Sequence, residues 1–214
     1  VVGNHLDEPV LNIKTAWGGK DLAVDFRPPS AGMPPYYLGG GRQKALEGDP
    51  KIVGHYYRLM LEHVRDVLKD PGAHFPALAG RQTEIAGFGW HQGWNDGGSD
   101  QFVGEYEANL AHLIRDLRKD LGRPKLPVVI ANSGFGGEKL AGRRLQLAMA
   151  QMAVADPAKH PEFQGTVYTV DTRPFQRTLE QSPSNFGYHW NHNGETHYLI
   201  GESMGKAMIK LMAK

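Results

Sequence analysis

The sequence predicts a three-layer α/β domain built on a parallel sheet, and two observations carry that expectation. Short hydrophobic runs rich in β-branched residues alternate along the chain with longer segments whose apolar residues recur at helical spacing. The polar, aromatic and glycine-rich stretches fall where the hydrophobic runs end. That is where parallel sheets expose the carboxyl ends of their strands and build sites. The 214 residues fit a single domain, 1–214, with enough chain to bury a real core.

Val10 to Thr15 (VLNIKT) reads as a buried strand that runs into Trp17-Gly18-Gly19, a tight glycine turn. Residues 27–42 are dense in proline and glycine and form a long loop, of a length that often carries function. From Lys51 to Leu68, the positions Val53, Tyr57, Met60, Leu61, Val64 and Leu68 follow a helical period, and Asp70-Pro71-Gly72 ends it. Glu84 to Trp90 (EIAGFGW) is a second strand, followed by His91-Gln92-Gly93-Trp94-Asn95-Asp96. Residues 100–121 form the clearest helix, with Phe102, Tyr106, Leu110, Leu113, Ile114, Leu117 and Leu121 on one face. Ser99 is its N-cap; Gly122 and Pro124 stop it. Leu126 to Ala131 is a third strand, entering the loop Ser133 to Gly137. A helix over 141–155, a fourth strand from Thr166 to Val170 ending at Asp171, and a last helix from Gly194 to Met212 complete the reading.

Composition narrows the function. A hydrophobic fraction of 40% with 22% charged residues is that of an ordinary soluble globular protein. The net charge of +1, from 24 basic and 23 acidic residues, gives no reason to expect nucleic acid or an anionic membrane as partner, and it suits a neutral substrate. Having no cysteine, the chain has no disulfide, thiolate metal site or cysteine nucleophile. No apolar run approaches the roughly 20 residues of a membrane helix, and no signal peptide is visible. The chain opens at Val1 rather than at a methionine, so the start of the gene product is expected to lie outside it.

Four strand-end segments carry chemistry. Gly18-Gly19 can aim a backbone N–H at a developing oxyanion, or serve only as a turn. Trp90 to Asp96 (WHQGWND) gathers two indoles, an imidazole, two amides and a carboxylate, and the amides can donate to an oxyanion without adding charge. His189-Trp190-Asn191-His192, just before the last helix, offers a general base for a hydroxyl nucleophile, or a histidine that merely packs the helix start. The spacing of His189, His192 and His197 matches no zinc signature. Asn132 to Glu138 (NSGFGGE) lacks the lysine-plus-hydroxyl of a phosphate loop and reads as a substrate-side loop or plain turn.

In this order the segments resemble the SGNH (GDSL-type) hydrolases, in the branch holding sialate O-acetylesterases and related carbohydrate acetylesterases. NIKTAWGGKDL resembles that branch's second block, whose glycine supplies an oxyanion N–H; it corresponds to Gly18 or Gly19. GFGWHQGWND resembles the third block, an aromatic, a variable residue and Gln-Gly, and residues 93–96 read as Gly-x-Asn-Asp, which makes Asn95 or Gln92 the oxyanion amide. Trp94 stands where many members carry glutamate. GYHWNHNGETHYLIGESMGKAM resembles the closing block, with His189 as base and His192 second. The acid usual three residues earlier is absent, because position 186 is Phe186; a carbonyl, Asp171 or Asp96 can orient the base instead, or the site can use a dyad.

The resemblance spans Val10 to Met212 and implies a three-layer α/β/α sandwich with a parallel, flavodoxin-like sheet. It implies a carbohydrate O-acetylesterase, a serine hydrolase without metal or organic cofactor, periplasmic or secreted, acting on an acetylated carbohydrate. His91, Trp94, Tyr36 and Tyr37 are the substrate-binding expectations, the last three as stacking platforms. The family's serine block on the first strand does not occur here, and Ser133, the one serine at a predicted strand end, follows the wrong strand. The first strand of this fold lies inside the sheet, so the chain is expected not to fold alone. An N-terminal segment, as a second chain or an omitted part, is expected to complete the sheet and bring the serine. A carbohydrate-binding pseudo-esterase and an esterase of lipid or other acyl esters are the rival readings.

Overall fold

The computed structural model describes residues 1–213. Its helices are α1 (Gly40–Gly48), α2 (His55–Lys69), α3 (Pro71–His74), α4 (Asp100–Asp120), α5 (Gly142–Ala153) and α6 (Gly194–Met212). Its strands are β1 (Phe88–Trp90), β2 (Val128–Ala131) and β3 (Val167–Val170). The strands form one parallel sheet in the order β1–β2–β3, with Phe88 opposite Val128 and Val128 opposite Val167. All four residues of β2 are buried, as a central strand covered on both faces requires.

The pleat of β2 sorts the layers. Val128 and Ile130 face one side, where Leu110, Leu113, Ile114 and Leu117 of α4 and Leu147 of α5 cover them; Tyr57, Met60 and Leu61 of α2 extend this core. Val129 faces the other side, against Ala207 and Leu211 of α6. The four α4 residues are each at most 2% exposed. At about 1.5–3 kcal/mol each they contribute roughly 6–12 kcal/mol, so packing rather than helix propensity holds α4. Ser99 caps it as expected, its side chain accepting from the Phe102 N–H, and Gly122 ends it at φ 64. Asn193 caps α6 in the same way, accepting from the Thr196 N–H at 3.0 Å. The α/β sandwich expected from the sequence is the fold observed.

Four local expectations fail. Val10 to Thr15 is not a strand: it has no regular structure, and only Leu11, Ile13 and Thr15 are half-buried. A strand needs a ladder partner, and this segment has none among the described residues. The edge of β1 turned away from β2 is likewise unpaired, and Gly89 in its middle is exposed. The second strand shrinks from Glu84–Trp90 to Phe88–Trp90, because β1 pairs only with β2, and the residue before β2 is Pro127, which has no N–H to give. The Phe88 N–H instead donates to the Pro127 carbonyl at 2.9 Å.

The helix expected from Lys51 begins at His55. Asp49 caps a short 3-10 turn at Pro50–Ile52, and Gly54, at φ 67, donates its N–H to the Val24 carbonyl at 2.7 Å. Helical geometry is given up there to pin the 21–27 turn. The proline-glycine loop is not structureless either: Pro29–Ala31 is a 3-10 turn and α1 starts at Gly40. The buried Arg27 ties the loop together, donating to Ala23 O at 2.9 Å and Gly32 O at 2.7 Å and pairing with Glu105 at 2.8 Å.

Candidate active site

The carboxyl ends of β1 and β2 meet the segment after Trp17. Gly18 and Gly19 form an exposed turn, with Gly19 at φ 70, and their N–H groups have no partner among the described residues. The next residues are locked. Asp96, fully buried, accepts from the Leu22 N–H at 3.0 Å, the Ala23 N–H at 3.1 Å and the Gln92 side-chain amide at 2.6 Å. Gln92 also donates to the Lys20 carbonyl at 3.0 Å. Two segments more than seventy residues apart are thereby held in one register. Burial, then the nearby Asp21, pushes the Asp96 carboxyl up to about 7, while the donors from Gln92, Leu22 and Ala23 pull the other way.

A second network fixes Gln92 from behind. The Tyr106 hydroxyl lies 2.8 Å from the Gln92 carbonyl and 3.0 Å from its Oε1, and it accepts from the Trp90 indole at 3.1 Å. Gln151 donates to the Gln92 carbonyl at 2.7 Å and accepts from the Ser133 N–H at 2.6 Å. Gly93 makes this possible, since a Cβ there would collide with Ser133 Oγ and sit 3.0 Å from the Gln151 amide. Burial, then Asp96, drives the Tyr106 hydroxyl upward, so it stays protonated.

Gln92 and Asn95 thus separate. The Gln92 amide is spent on scaffolding. The half-buried Asn95 amide has no hydrogen-bond partner among the described residues, and a Cβ on Gly19 would lie 3.8 Å from its Nδ2. Free backbone N–H groups beside a free amide are what an oxyanion hole requires. His91 projects from the same strand end: its Nδ1–H donates to the Ala131 carbonyl at 3.1 Å, leaving Nε2 as acceptor. Its ring is open to solvent yet hemmed in by protein, so desolvation lowers its pKa.

Trp94 joins this end to the closing segment. Its ring lies 5.2 Å from that of Tyr188 and 5.4 Å from Phe135, and Tyr188 lies 4.4 Å from His189. His189 is exposed, its ring stacks on that of His192 at 5.4 Å, and the ring makes no hydrogen bond or ion pair among the described residues. Ser184 Oγ lies 3.1 Å from Nδ1 of His192. The turn carrying these histidines is strained: Trp190, Asn191 and His192 have φ of 52, 54 and 56°. Such residues cost of order 1–3 kcal/mol each and persist where their surroundings over-determine them. Here the buried Trp190 packs on Phe135 at 4.9 Å, and Asn191 donates its N–H to Phe186 O at 3.0 Å.

Other expected residues lie apart from this patch. Tyr36 tilts against Phe102 and donates its hydroxyl to Glu105; Tyr37 is 67% exposed. Neither has a ring contact with Trp94 or His189. Asp171 is held by Arg173, by two short contacts, and by Asn132 at 3.1 Å; Asp96 is occupied as described, so neither carboxylate reaches a histidine of the closing turn. Ser133 is 2% exposed and sits on Gln92 and Gln151, without a histidine. The sequence reading missed Tyr106 and Gln151. Gln151 left a trace, a polar residue in the apolar stripe with Leu147 and Val154; Tyr106 was read only as core.

A family model for carbohydrate esterases, described as sialic acid-specific acetylesterase, matches residues 8–210. No curated protein and no solved structure matches the chain. The matched span takes in the glycine turn, the Gln92–Asp96 segment and the closing histidines, the three parts that the fold assembles at one end of the sheet. The chain belongs to the carbohydrate esterase family of sialic acid-specific acetylesterases.

Proposed function

We propose that this protein is a carbohydrate O-acetylesterase whose serine nucleophile comes from a segment outside the chain described. The observation that carries the reading is the free Asn95 amide beside Gly19, whose N–H is free like that of Gly18, next to a segment locked by Asp96. The unpaired edge of β1, with Val10 to Thr15 lacking a partner, is where a further strand fits, and it supports a serine-bearing segment there.

In this reading His189 takes the proton of the serine hydroxyl as its oxygen attacks the acetyl carbonyl. Gly18 or Gly19, with Asn95, holds the tetrahedral oxyanion. The carbon–oxygen bond to the sugar then breaks, and the imidazolium protonates the leaving sugar oxygen. Water, deprotonated by the same histidine, hydrolyses the acetyl-enzyme, releasing acetate and restoring the serine. His189 is preferred to His192 because it has no competing hydrogen bond, whereas His192 is engaged by Ser184. Without a carboxylate on His189, the pair acts as a dyad.

The test is denaturing intact-mass spectrometry of the native protein after treatment with a fluorophosphonate. An adduct on a second polypeptide, or on an N-terminal extension of this one, supports the esterase. A single unlabelled chain of 23.6 kDa overturns it in favour of a carbohydrate-binding pseudo-esterase.

A further inference from the structure

The amino end of the sheet, one strand length from the catalytic patch, holds a buried cation without an acid. Arg118, in the last turn of α4, is 8% exposed. Its Nε and Nη2 donate to the Leu126 carbonyl at 3.3 and 3.0 Å, and Nη2 also donates to Thr166 Oγ1 at 2.7 Å. Leu126 and Thr166 lie just before β2 and β3, so this edge of the guanidinium clamps α4 to both strands. The other edge is unspent. Nη1 makes no hydrogen bond, and no carboxylate lies within ion-pair distance of Arg118 among the described residues. Nor is Nη1 sealed off: the sealed, unpartnered side-chain nitrogens among the described residues are those of Asn109 and Trp190.

Arg118 lines a cavity of about 530 Å³ with Arg115, Lys119, Glu162 and Phe163, and an adjoining hollow adds Lys125. Both guanidinium groups rest on the Phe163 ring, Arg115 at 5.4 Å and Arg118 at 5.3 Å from its centre, which fixes their planes. Glu162 is the one acid lining the cavity, and it is already shared between Arg115 and, at 3.8 Å, His160. The nearby acids of α4 are engaged elsewhere: Asp116 accepts from the Ser30 N–H at 2.8 Å and Asp120 from the Tyr57 hydroxyl at 2.7 Å. The negative end of the α4 dipole accounts for cations in its last turn. It does not account for one that is buried without a counter-ion, which is costly to keep. Burial lowers the Arg118 pKa, and Glu162 offsets this only in part.

We propose that this cavity is an anion site, separate from the catalytic patch, that takes a phosphate group, free or as a monoester. Donors reach it from the buried floor at Arg118 and from the rim at Arg115 and Lys119. A tetrahedral phosphate has three oxygens to meet them, whereas a planar carboxylate meets one fork from one side. The site is independent of the esterase reading, and fluorophosphonate labelling has no bearing on it.

The protein is titrated by calorimetry with inorganic phosphate, with glucose 6-phosphate and with glucose, at fixed pH and ionic strength, and its thermal unfolding is followed in the same series. One or both phosphates are expected to bind and glucose is not. Ligand at about ten times its Kd should raise the melting temperature by a few degrees. Equal affinity for the two phosphates identifies free phosphate as the ligand; tighter binding of the ester identifies a monoester. Arg118→Gln should remove binding. Lys119→Glu, at an exposed side chain with no partner among the described residues, should weaken it by about tenfold or more while leaving the fold intact. No binding of either phosphate, equal binding of glucose, or undiminished binding in Lys119→Glu or in a folded Arg118→Gln protein overturns the proposal. Where Arg118→Gln fails to fold, Lys119→Glu decides.

Discussion

Asp96 makes the stability of this protein depend on pH in a direction opposite to that of most carboxylates. Its ordinary value of 3.8 is raised to about 7 in the fold, by burial first and by Asp21 second. Between those two pH values the folded protein holds a proton that the unfolded chain has released, so stability falls as pH rises from about 4 to about 7. At about 1.4 kcal/mol for each pH unit the whole interval amounts to about 4 kcal/mol. Asp96→Asn removes the titration while keeping one oxygen for the Leu22 and Ala23 N–H groups. Urea unfolding of both proteins, read by tryptophan fluorescence at steps from pH 4 to pH 8, isolates the effect, because groups common to both proteins cancel in the difference. His91, for instance, whose lowered pKa makes stability rise with pH, is removed in this way. The stability of the unaltered protein relative to Asp96→Asn should decline by up to about 4 kcal/mol across the window. A difference that stays constant, or that grows in favour of aspartate as pH rises, refutes the reasoning.

Four further outcomes follow, and the first three separate residues that lie close in sequence. Asn95→Ala should lower kcat on an acetylated sugar by about 10²–10³-fold with little change in unfolding midpoint, because its amide has no structural partner. Gln92→Ala should instead destabilise by about 3 kcal/mol, since it strips donors and acceptors from Lys20, Asp96 and Tyr106; parallel kinetic and thermal measurements distinguish the two. His189→Ala should abolish fluorophosphonate labelling, while His192→Ala should retain most of it. Asn109, 3% exposed on α4 with an unpartnered side-chain N–H, should gain about 1–2 kcal/mol on replacement by leucine, raising the melting temperature by a few degrees.

The helices were legible where one face is apolar over many turns. α4 begins and ends where periodicity and capping residues put it, since both signals are local to the backbone, and α6 spans the residues expected for it. The strands were legible only where a neighbour exists to pair with them. Val10 to Thr15 has the composition of a strand and no ladder, and Glu84 to Gly87 lose theirs beyond Pro127.

By itself the sequence determined the α/β class, the family, and the three segments that meet at the sheet's end. Each of these depends on residue types at short spacing. Only the tertiary structure decided that Gln92 is scaffold and Asn95 is free, that Asp96 latches Leu22 and Ala23 rather than orienting a histidine, and that Tyr36 belongs to Glu105. Those assignments depend on which donor finds which acceptor across separations of up to 74 residues, and chain packing alone sets that choice.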